Sequence, residues 1–162
     1  MVQIDGLSGT GKSTLCAELI RRGQHAVDAD AVFAHYADPV TGAPTSVESR
    51  ATWMWNGPKL RGFADAHREE LVFICGGAMN QDEFADLFTN RFILRIDDET
   101  MRRRLRTRTN NDFGKDPAEL AEQLELNMHV LEEAQRIGAV VVDATRPISE
   151  VADDILRTTL SR

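Results

Sequence analysis

The 162-residue sequence has little cysteine and no long apolar run. Its two cysteines, Cys16 and Cys75, are too few for a disulfide framework, and no Cys/His spacing of the metal-binding type is present. Both fall in predicted regular elements, so we expect buried free thiols. The apolar runs are shorter than the roughly 18 residues that span a bilayer, and the N-terminus lacks a signal-peptide pattern. We therefore expect a cytoplasmic protein without a membrane partner.

The chain also has no excess of positive charge. The formal net charge is −7, which argues against a broad nucleic-acid surface but leaves room for a local basic pocket. The chain length suits one domain with a single sizeable core. Because the sequence shows no repeat, low-complexity tract or linker, we predict a single domain over residues 1–162, as a monomer or homodimer.

A glycine-rich stretch near the N-terminus is the strongest positive feature. Residues 6–13 read GLSGTGKS, which fits the phosphate-binding loop pattern, with a predicted strand before it and a predicted helix after it. The glycines let backbone N–H groups curl around a polyphosphate at a helix N-terminus. Lys12 adds positive charge near the β- and γ-phosphates, and the Ser13 hydroxyl is the expected magnesium ligand. The predicted nucleotide contacts here are Gly6, Leu7, Ser8, Gly9, Thr10, Gly11, Lys12, Ser13 and Thr14.

Two acids follow the second predicted strand, residues 25–28. Asp28 and Asp30 stand at its carboxyl end, where open α/β sheets bind ligands. One acid can hold magnesium, directly or through water, and the other can accept a proton from a substrate hydroxyl. Capping of a helix is the alternative role for Asp30. Beside a phosphate loop, we favour the functional interpretation.

Residues 34–62 form a turn-rich insertion before the third predicted strand. We expect this insertion to be an acceptor-binding cap. A helix that begins near Thr45 or Ser46 is predicted to carry Trp53 and Trp55. Because these two residues cannot share one helix face, we expect one in the core and the other at a pocket. Arg61 is a candidate contact to an anionic acceptor, with a solvated surface charge as the alternative.

The third predicted strand, residues 71–75, is an apolar run typical of a central parallel strand. Gly76 and Gly77 end it at the same crevice edge, where glycine lets a ligand approach the backbone. A simple tight turn is the alternative. Asn80 follows, and we place it with the two glycines in the predicted acceptor site.

The helix after the fourth predicted strand, residues 91–96, is rich in arginine. Arg104 and Arg108 are four residues apart and therefore share a face. The polar, turn-rich residues 109–116 come next. A basic helix end followed by a flexible loop predicts a lid that closes over a triphosphate, excludes water and delivers positive charge. A plain basic surface helix is the alternative.

The remainder of the chain completes an alternating pattern. One long amphipathic helix is predicted from Pro117 to Gly138, and the fifth predicted strand covers residues 139–143. The inward residues predicted for this helix are Leu120, Leu124, Met128 and Leu131. Short strands that alternate with helices predict an α/β fold, in which a parallel sheet is covered by helices on both faces.

Together these motifs resemble the P-loop small-molecule and nucleotide kinases, the group that holds adenylate, shikimate and gluconate kinases. The likeness covers nearly the whole chain. It implies the three-layer P-loop NTPase fold with strand order 2-3-1-4-5, counted over the five predicted strands. It also implies ATP and Mg²⁺ as cofactors of a phosphotransferase.

The resemblance assigns roles on the acceptor side. Asp28 and Asp30 resemble the Asp-x-Asp of shikimate kinases, which implies that Asp28 assists magnesium while Asp30 binds the acceptor hydroxyl and acts as base. Gly76 and Gly77 resemble the glycine run that touches the acceptor.

It also assigns roles on the nucleotide side. Residues 104–108 resemble the Arg-Leu-x-x-Arg that leads into the lid of nucleotide kinases. This likeness implies that Arg104 stacks near adenine and Arg108 reaches the phosphates. Arg146 and Pro147 fall where the adenine-contacting loop of the family lies.

The predicted activity is transfer of the γ-phosphate of ATP to a small-molecule hydroxyl. Lys12, magnesium and the lid arginines would stabilise the negative charge that spreads over the transferred phosphoryl group. The Asp30 carboxylate is suited to accept the proton of the acceptor hydroxyl. Two alternatives stay open. A nucleoside monophosphate acceptor would need arginines, for which the candidates are Arg50, Arg61 and Arg91. A nucleotide-dependent binding protein or ATPase without a small acceptor would act on a protein partner.

Overall fold

Strands and helices alternate along the chain. The computed structural model describes residues 1–109 and 111–161. Its strands are β1 (Val2–Gly6), β2 (His25–Asp28), β3 (Ala34–Tyr36), β4 (Trp53–Trp55), β5 (Val72–Cys75), β6 (Asn90–Arg95) and β7 (Val140–Asp143). Its α-helices are α1 (Lys12–Arg21), α2 (Ala29–Val32), α3 (Gly57–Ala66), α4 (Asp98–Thr107), α5 (Pro117–Met128), α6 (Val130–Ile137) and α7 (Ile148–Leu160). Among these described helices, none is long and apolar enough to cross a bilayer.

Five of the strands form one parallel sheet in the order β2-β5-β1-β6-β7. β1 lies at its centre, with Ile4 opposite Cys75 on one side and Phe92 on the other. Counted over the five strands that the sequence predicted, this order is 2-3-1-4-5, so the predicted fold and order are confirmed. Because the strands run the same way, the carboxyl ends of β1, β2 and β5 meet at one edge of the sheet.

Helices cover both faces of the sheet. Alternate strand residues face opposite sides, so Ile4 packs with α1, α4 and α7 on one face, and Ile74 packs with α3 and β4 on the other. Cys16 and Cys75 are buried free thiols in the first of these clusters, which confirms the prediction.

The predicted helix around Trp53 and Trp55 is wrong. These residues lie in β4, which pairs antiparallel with β3 in a hairpin that places Ala34 opposite Trp55. Tryptophan favours the pleated, half-buried surface of a sheet, and two such residues outweigh the capping signal at Thr45 or Ser46. Trp55 is 2% exposed in the core, whereas Trp53 is half-buried and lines the crevice.

The predicted long helix from Pro117 is two helices. α5 ends at Met128 and α6 begins at Val130, with His129 as the residue between them. Leu120 and Leu124 pack against the core as predicted. Met128 and Leu131, also predicted to point inward, are 66% and 52% exposed. The predicted apolar face therefore holds within α5 and ends at the junction.

Buried amides form the rest of the inward face of α5. Gln123 and Asn127 are only 2% and 3% exposed. The Asn127 side chain donates to the Ile96 carbonyl at 3.0 Å, and Gln123 contacts the phosphate loop. A buried amide with a partner is stable in a core, and a search for apolar periodicity cannot find it.

Candidate functional site

Two glycines shape the phosphate loop, residues 6–13, in which the N–H groups of Gly6, Ser8 and Thr10 have protein partners. Gly9 and Gly11 have φ values of +85° and +101°, the left-handed region that glycine adopts without steric cost. Gly11 is also the N-cap of α1, so no side chain at that position occupies the first amides of the helix. An anion can therefore bind at this helix N-terminus.

Lys12 folds over the mouth of the loop. Its Nζ donates to the Gly6 carbonyl at 2.5 Å and lies 3.4 Å from that of Leu7. Lys12, Gly6, Leu7 and Ser8 all line a large open crevice. A phosphate oxygen is a stronger partner for an ammonium group than a neutral carbonyl, so a bound polyphosphate would draw Nζ away from these carbonyls.

Arg104 supports the loop from behind. Its guanidinium donates to the carbonyls of Gly9, Thr10 and Ala144 at 3.2, 3.3 and 3.0 Å. Burial lowers the pKa of Arg104 from its ordinary value. The resemblance implied contact with adenine, and the structure places this side chain against the loop backbone.

Asp30 brings a carboxylate to the crevice. Its Oδ1 atom is buried and has no hydrogen-bond partner among the described residues. Burial raises the pKa of Asp30 above its ordinary value; Lys12 opposes this shift, while Asp28 and Asp5 add to it. A carboxylate with a free oxygen and a raised pKa suits the role of proton acceptor.

Gly76 and Gly77 make room for two carboxylates of the protein itself. A Cβ atom on Gly76 would lie 2.7 Å from Asp30 Oδ1, and one on Gly77 would lie 2.3 Å from Asp5 Oδ1. The sequence predicted that a ligand approaches the backbone here. The structure shows that side chains of β1 and α2 occupy that space.

Asp5 is a crevice residue that the sequence reasoning missed. Its Oδ1 accepts from the N–H of Gly6 at 2.6 Å, and its Oδ2 accepts from Gln81 Nε2 at 3.1 Å. Gln81 in turn accepts from the buried Gln3 at 2.7 Å. Asp5 stands at the carboxyl end of β1, so the rule that drew attention to Asp30 at the end of β2 applied to it equally.

Replacement of Gly77 with alanine is expected to expel Asp5 from its position. The new methyl group overpacks the site, so we expect a loss of about 1–3 kcal/mol in the free energy of unfolding. Thermal unfolding measures this loss. Gly62→Ala is the matched control, since nothing lies within 4 Å of a Cβ there. Equal melting temperatures for the two variants would contradict the packing of Asp5 on Gly77.

The two predicted magnesium ligands occupy different settings. Asp28 caps α2, because its Oδ1 accepts from the N–H groups of Asp30 and Ala31 at 3.1 and 3.2 Å. The capping role considered for Asp30 therefore belongs to Asp28, which is not among the described residues that line the crevice. Ser13 is exposed in the first turn of α1, beside the equally exposed Thr14.

The described part of the predicted lid, residues 109 and 111–116, follows Arg108. Arg108 lines the crevice and donates to the Phe113 carbonyl, with its guanidinium 5.8 Å from the Phe113 ring centroid. Burial lowers the pKa of Arg108. Lys115 is paired with Asp112 at 2.7 Å. Asn110, which the predicted lid includes, lies outside the described residues.

Asn80 and Arg61, predicted acceptor contacts, make other contacts. Asn80 brackets the backbone of Trp55, accepting from its N–H at 2.8 Å and donating to its carbonyl at 3.0 Å. Arg61 pairs with Asp86 at 2.8 Å and donates to the Glu83 carbonyl at 2.8 Å. Neither is among the described residues that line the crevice.

Arg146 and Pro147 lie at the start of α7. Arg146 binds Asp154 and approaches Glu150 at 3.8 Å. Pro147 is the N-cap residue of α7. The Arg146 side chain is thus bound to carboxylates of α7, the helix that follows it.

The family comparison matches most of the chain. The AAA domain family profile matches residues 2–125. The comparison with curated proteins gives no match.

Solved structures extend the likeness over nearly the whole chain. A sugar kinase from Janibacter sp. is 21% identical over 96% of this chain and 91% of its own, with a TM-score of 0.57. Shikimate kinase from Acinetobacter baumannii in complex with shikimate is 17% identical over 99% and 92%, with a TM-score of 0.61. Deoxyadenosine kinase from M. mycoides with bound dATP is 16% identical over 98% of each chain, with a TM-score of 0.60. At these identities the likeness shows the fold, and the predicted P-loop kinase fold is confirmed.

Proposed function

The chain belongs to the AAA domain family. We propose that it is an ATP- and Mg²⁺-dependent phosphotransferase that acts on a small-molecule hydroxyl. One observation carries the proposal: Lys12 of the phosphate loop and the half-buried Asp30, one of whose carboxylate oxygens has no partner among the described residues, line the same crevice. The structural relatives that are named as kinases support it.

The nucleotide would bind with its phosphates at the N-terminus of α1. Oxygen ligands suit Mg²⁺, which usually keeps several waters. The exposed Ser13 hydroxyl and the Oδ2 atom of Asp28, which accepts no hydrogen bond from the described residues, fit such an ion. The ion would neutralise charge on the β- and γ-phosphates.

The arginines favour a hydroxyl over a monophosphate acceptor. Of the three candidates for a second phosphate, Arg61 is paired with Asp86, and Arg91 donates to Gln3 at 2.7 Å. Only Arg50 is among the described residues that line the crevice. One exposed arginine is a weak site for a doubly charged phosphate.

The charged side chains that line the crevice also restrict which acceptors can bind. Two of its other cations, Lys115 and Arg136, are paired with carboxylates. The acids without an ion pair among the described residues that line it include Asp5, Asp30, Glu48 and Glu122. An anionic acceptor would be repelled here, so the proposed acceptor is uncharged or carries an amine.

Residues 34–62 are proposed to cap the acceptor. Tyr36 and Trp53 meet edge to face with ring centroids 5.0 Å apart, and both line the crevice. Such rings can cover the apolar face of a sugar or ring compound. Residues 109–116 are proposed as the lid that brings Arg108 to the phosphates.

The chemical step then follows from these positions. Asp30 accepts the proton of the acceptor hydroxyl as the acceptor oxygen bonds to the γ-phosphorus. The bond from that phosphorus to the bridging oxygen breaks, and ADP leaves with the electron pair. Lys12 and Arg108 stabilise charge on the transferred group, so the protein contributes mainly positioning and electrostatics.

An acceptor screen tests the proposal. The purified chain, ATP and Mg²⁺ would be incubated with separate pools of polyols, amino sugars, nucleosides, nucleoside monophosphates and hydroxy acids, while ADP release is followed. We expect a neutral or amine-bearing pool to raise ADP release above the rate without acceptor, and Lys12→Ala to remove the increase. An increase confined to the monophosphate pool would replace the hydroxyl acceptor with the alternative. ATP binding with no response to any pool would contradict the proposal.

A further inference from the structure

A second polar cluster lies outside the crevice, where β2 begins and α3 ends. His25 is the first residue of β2, His67 is the C-cap of α3, and Glu70 follows three residues later. One potential ligand atom from each of the three side chains lies within 4.8 Å of the other two. This cluster is at the amino end of β2, whereas Asp30 follows its carboxyl end.

The carboxylate of Glu70 bridges the two imidazoles. Its Oε2 is 2.8 Å from His25 Nδ1, and its Oε1 is 3.0 Å from His67 Nδ1. A tetrahedral zinc ion with bonds of about 2.0–2.2 Å keeps its ligand atoms about 3.3–3.5 Å apart. The two nitrogen–oxygen distances therefore need to open by about half an ångström, and the widest spacing, which is within 4.8 Å, needs to close by up to about 1.4 Å to admit a metal.

Packing and backbone contacts hold the three side chains in place. The two imidazoles meet edge to face with ring centroids 4.8 Å apart, and the Phe63 ring packs beside them, 4.4 Å from His67 and 6.0 Å from His25. His25 is fixed by the pairing of β2 with β5, and the Glu70 N–H donates to the His67 carbonyl at 3.0 Å. The fold thus positions the two imidazoles, and the Glu70 carboxylate, 52% exposed, joins them through its hydrogen bonds.

We propose that His25, His67 and Glu70 form a site for a divalent transition metal ion of the zinc type. Imidazole ligands suit zinc, copper and nickel, whereas Mg²⁺ and Ca²⁺ prefer oxygen donors. The side chains of His25 and His67 are 36% and 28% exposed, so an ion can enter and water can complete its coordination. The ion would link the start of β2 to the end of α3 and stabilise the folded chain.

Zinc titration of the full-length chain tests the site. With ZnCl₂ added to metal-free protein in buffer without nucleotide, calorimetry is expected to show one zinc ion per chain and a higher melting temperature. His25→Gln, His67→Gln and Glu70→Gln should each weaken binding at least about 10- to 100-fold, since loss of even an outer partner of a ligand costs that much. Excess Mg²⁺ should not compete.

His129→Gln is the matched control. His129 makes the same kind of pair, with Nδ1 3.1 Å from Glu132 Oε2, but it belongs to no group of three potential ligands among the described residues. The His129→Gln variant should bind zinc with the affinity of the wild type. Equal weakening in this control, wild-type affinity in the His25 or His67 variant, or no zinc binding by the wild type would overturn the site.

Two further measurements keep the result independent of folding and of the proposed activity. Zinc should shift the ring ¹⁵N resonances of His25 and His67 in the wild-type protein and leave those of His35 and His129 unchanged. Shifts at other histidines would contradict the assignment. The Lys12→Ala variant should bind zinc as the wild type does, so failure of the proposed kinase activity would leave this site intact.

Discussion

The Lys12→Ala variant is expected to lose about 10³-fold or more in kcat. The Lys12 ammonium now rests on the carbonyls of Gly6 and Leu7, and with ATP bound it would stabilise charge on the transferred phosphoryl group. The side chain lies at the mouth of the crevice, so we expect its loss to change the free energy of unfolding by no more than about 1 kcal/mol. Steady-state turnover with the acceptor from the screen, together with thermal unfolding, measures both effects.

Lys59→Ala is the control for removal of a lysine. Lys59 also donates to a backbone carbonyl, that of Val32 at 2.7 Å, but it is not among the described residues that line the crevice. It should keep wild-type turnover. Turnover in Lys12→Ala within about tenfold of the wild type would remove the loop lysine from the mechanism.

The Asp30→Asn variant is expected to lose about 10²–10⁴-fold in kcat, the usual contribution of a positioned proton acceptor. Asparagine keeps the size of the side chain and cannot take a proton from the acceptor. Asp65→Asn is the matched control, because Asp65 is exposed on α3 and away from the crevice. A loss of less than about fivefold in Asp30→Asn would favour a monophosphate acceptor, whose attack needs no base.

The pH profile gives this prediction a second readout. Asp30 must be ionised to act as base, and burial raises its pKa. The acid limb of kcat/KM should therefore lie above the ordinary aspartate pKa in the wild type and be absent in Asp30→Asn. A structural role alone would lower activity without removing that limb.

The Asp30→Asn substitution should raise the stability of the folded protein near pH 7, although it lowers kcat. Because the pKa of Asp30 is raised in the folded protein, the folded state keeps that proton to a higher pH than the unfolded chain does. The stability contributed by neutral Asp30 is complete below the ordinary aspartate pKa and is lost as the pH rises through the raised value. Asp30→Asn should therefore melt at a higher temperature than the wild type near pH 7, and this difference should vanish at low pH. A lower melting temperature near pH 7 would contradict the burial of a charged Asp30.

The sequence was most informative where local chemistry decides the structure. Residues 6–13 require glycine at positions with positive φ, and no other common use of that spacing places a lysine and a hydroxyl in the first turn of a helix. Short apolar runs between helices were enough to predict β1, β2, β5, β6 and β7 as strands of one sheet. Their order came from the resemblance to the kinases, because it depends on packing between distant segments.

Prediction failed where tertiary contacts override a local pattern. The helix expected at Trp53 is a strand, because the hairpin with β3 and the core around Trp55 decide its conformation. The predicted face of α5 is confirmed at Leu120 and Leu124 but misses Gln123, which is buried where its side chain accepts the N–H of Ser8 at 3.1 Å. A partner 115 residues away leaves no periodic signal in the sequence.

In the candidate site, too, local patterns were predictable and long-range contacts were not. Lys12 was found through the phosphate-loop pattern, and Asp30 was found because it follows the carboxyl end of a strand, at the edge where ligands bind. Asp5 satisfies the same rule and was passed over in favour of the loop beside it. The partners of Arg104, Asn80 and Arg61 could not be predicted, since a polar side chain on a helix or in a loop has many partners within reach and the fold selects one.

The three hydrogen bonds of Arg104 make the phosphate loop a late product of folding. The loop lies close to the start of the chain, but Arg104 is 95 residues from Gly9, and Ala144 is a further 40 residues on. β1 itself needs β5 and β6 as neighbours in the sheet. During synthesis, therefore, the loop emerges before Arg104 and Ala144, and its shape is fixed only after they follow. A nascent chain that ends before β7 would carry the complete motif and lack the last carbonyl that anchors it, so nucleotide binding would report completion of the fold.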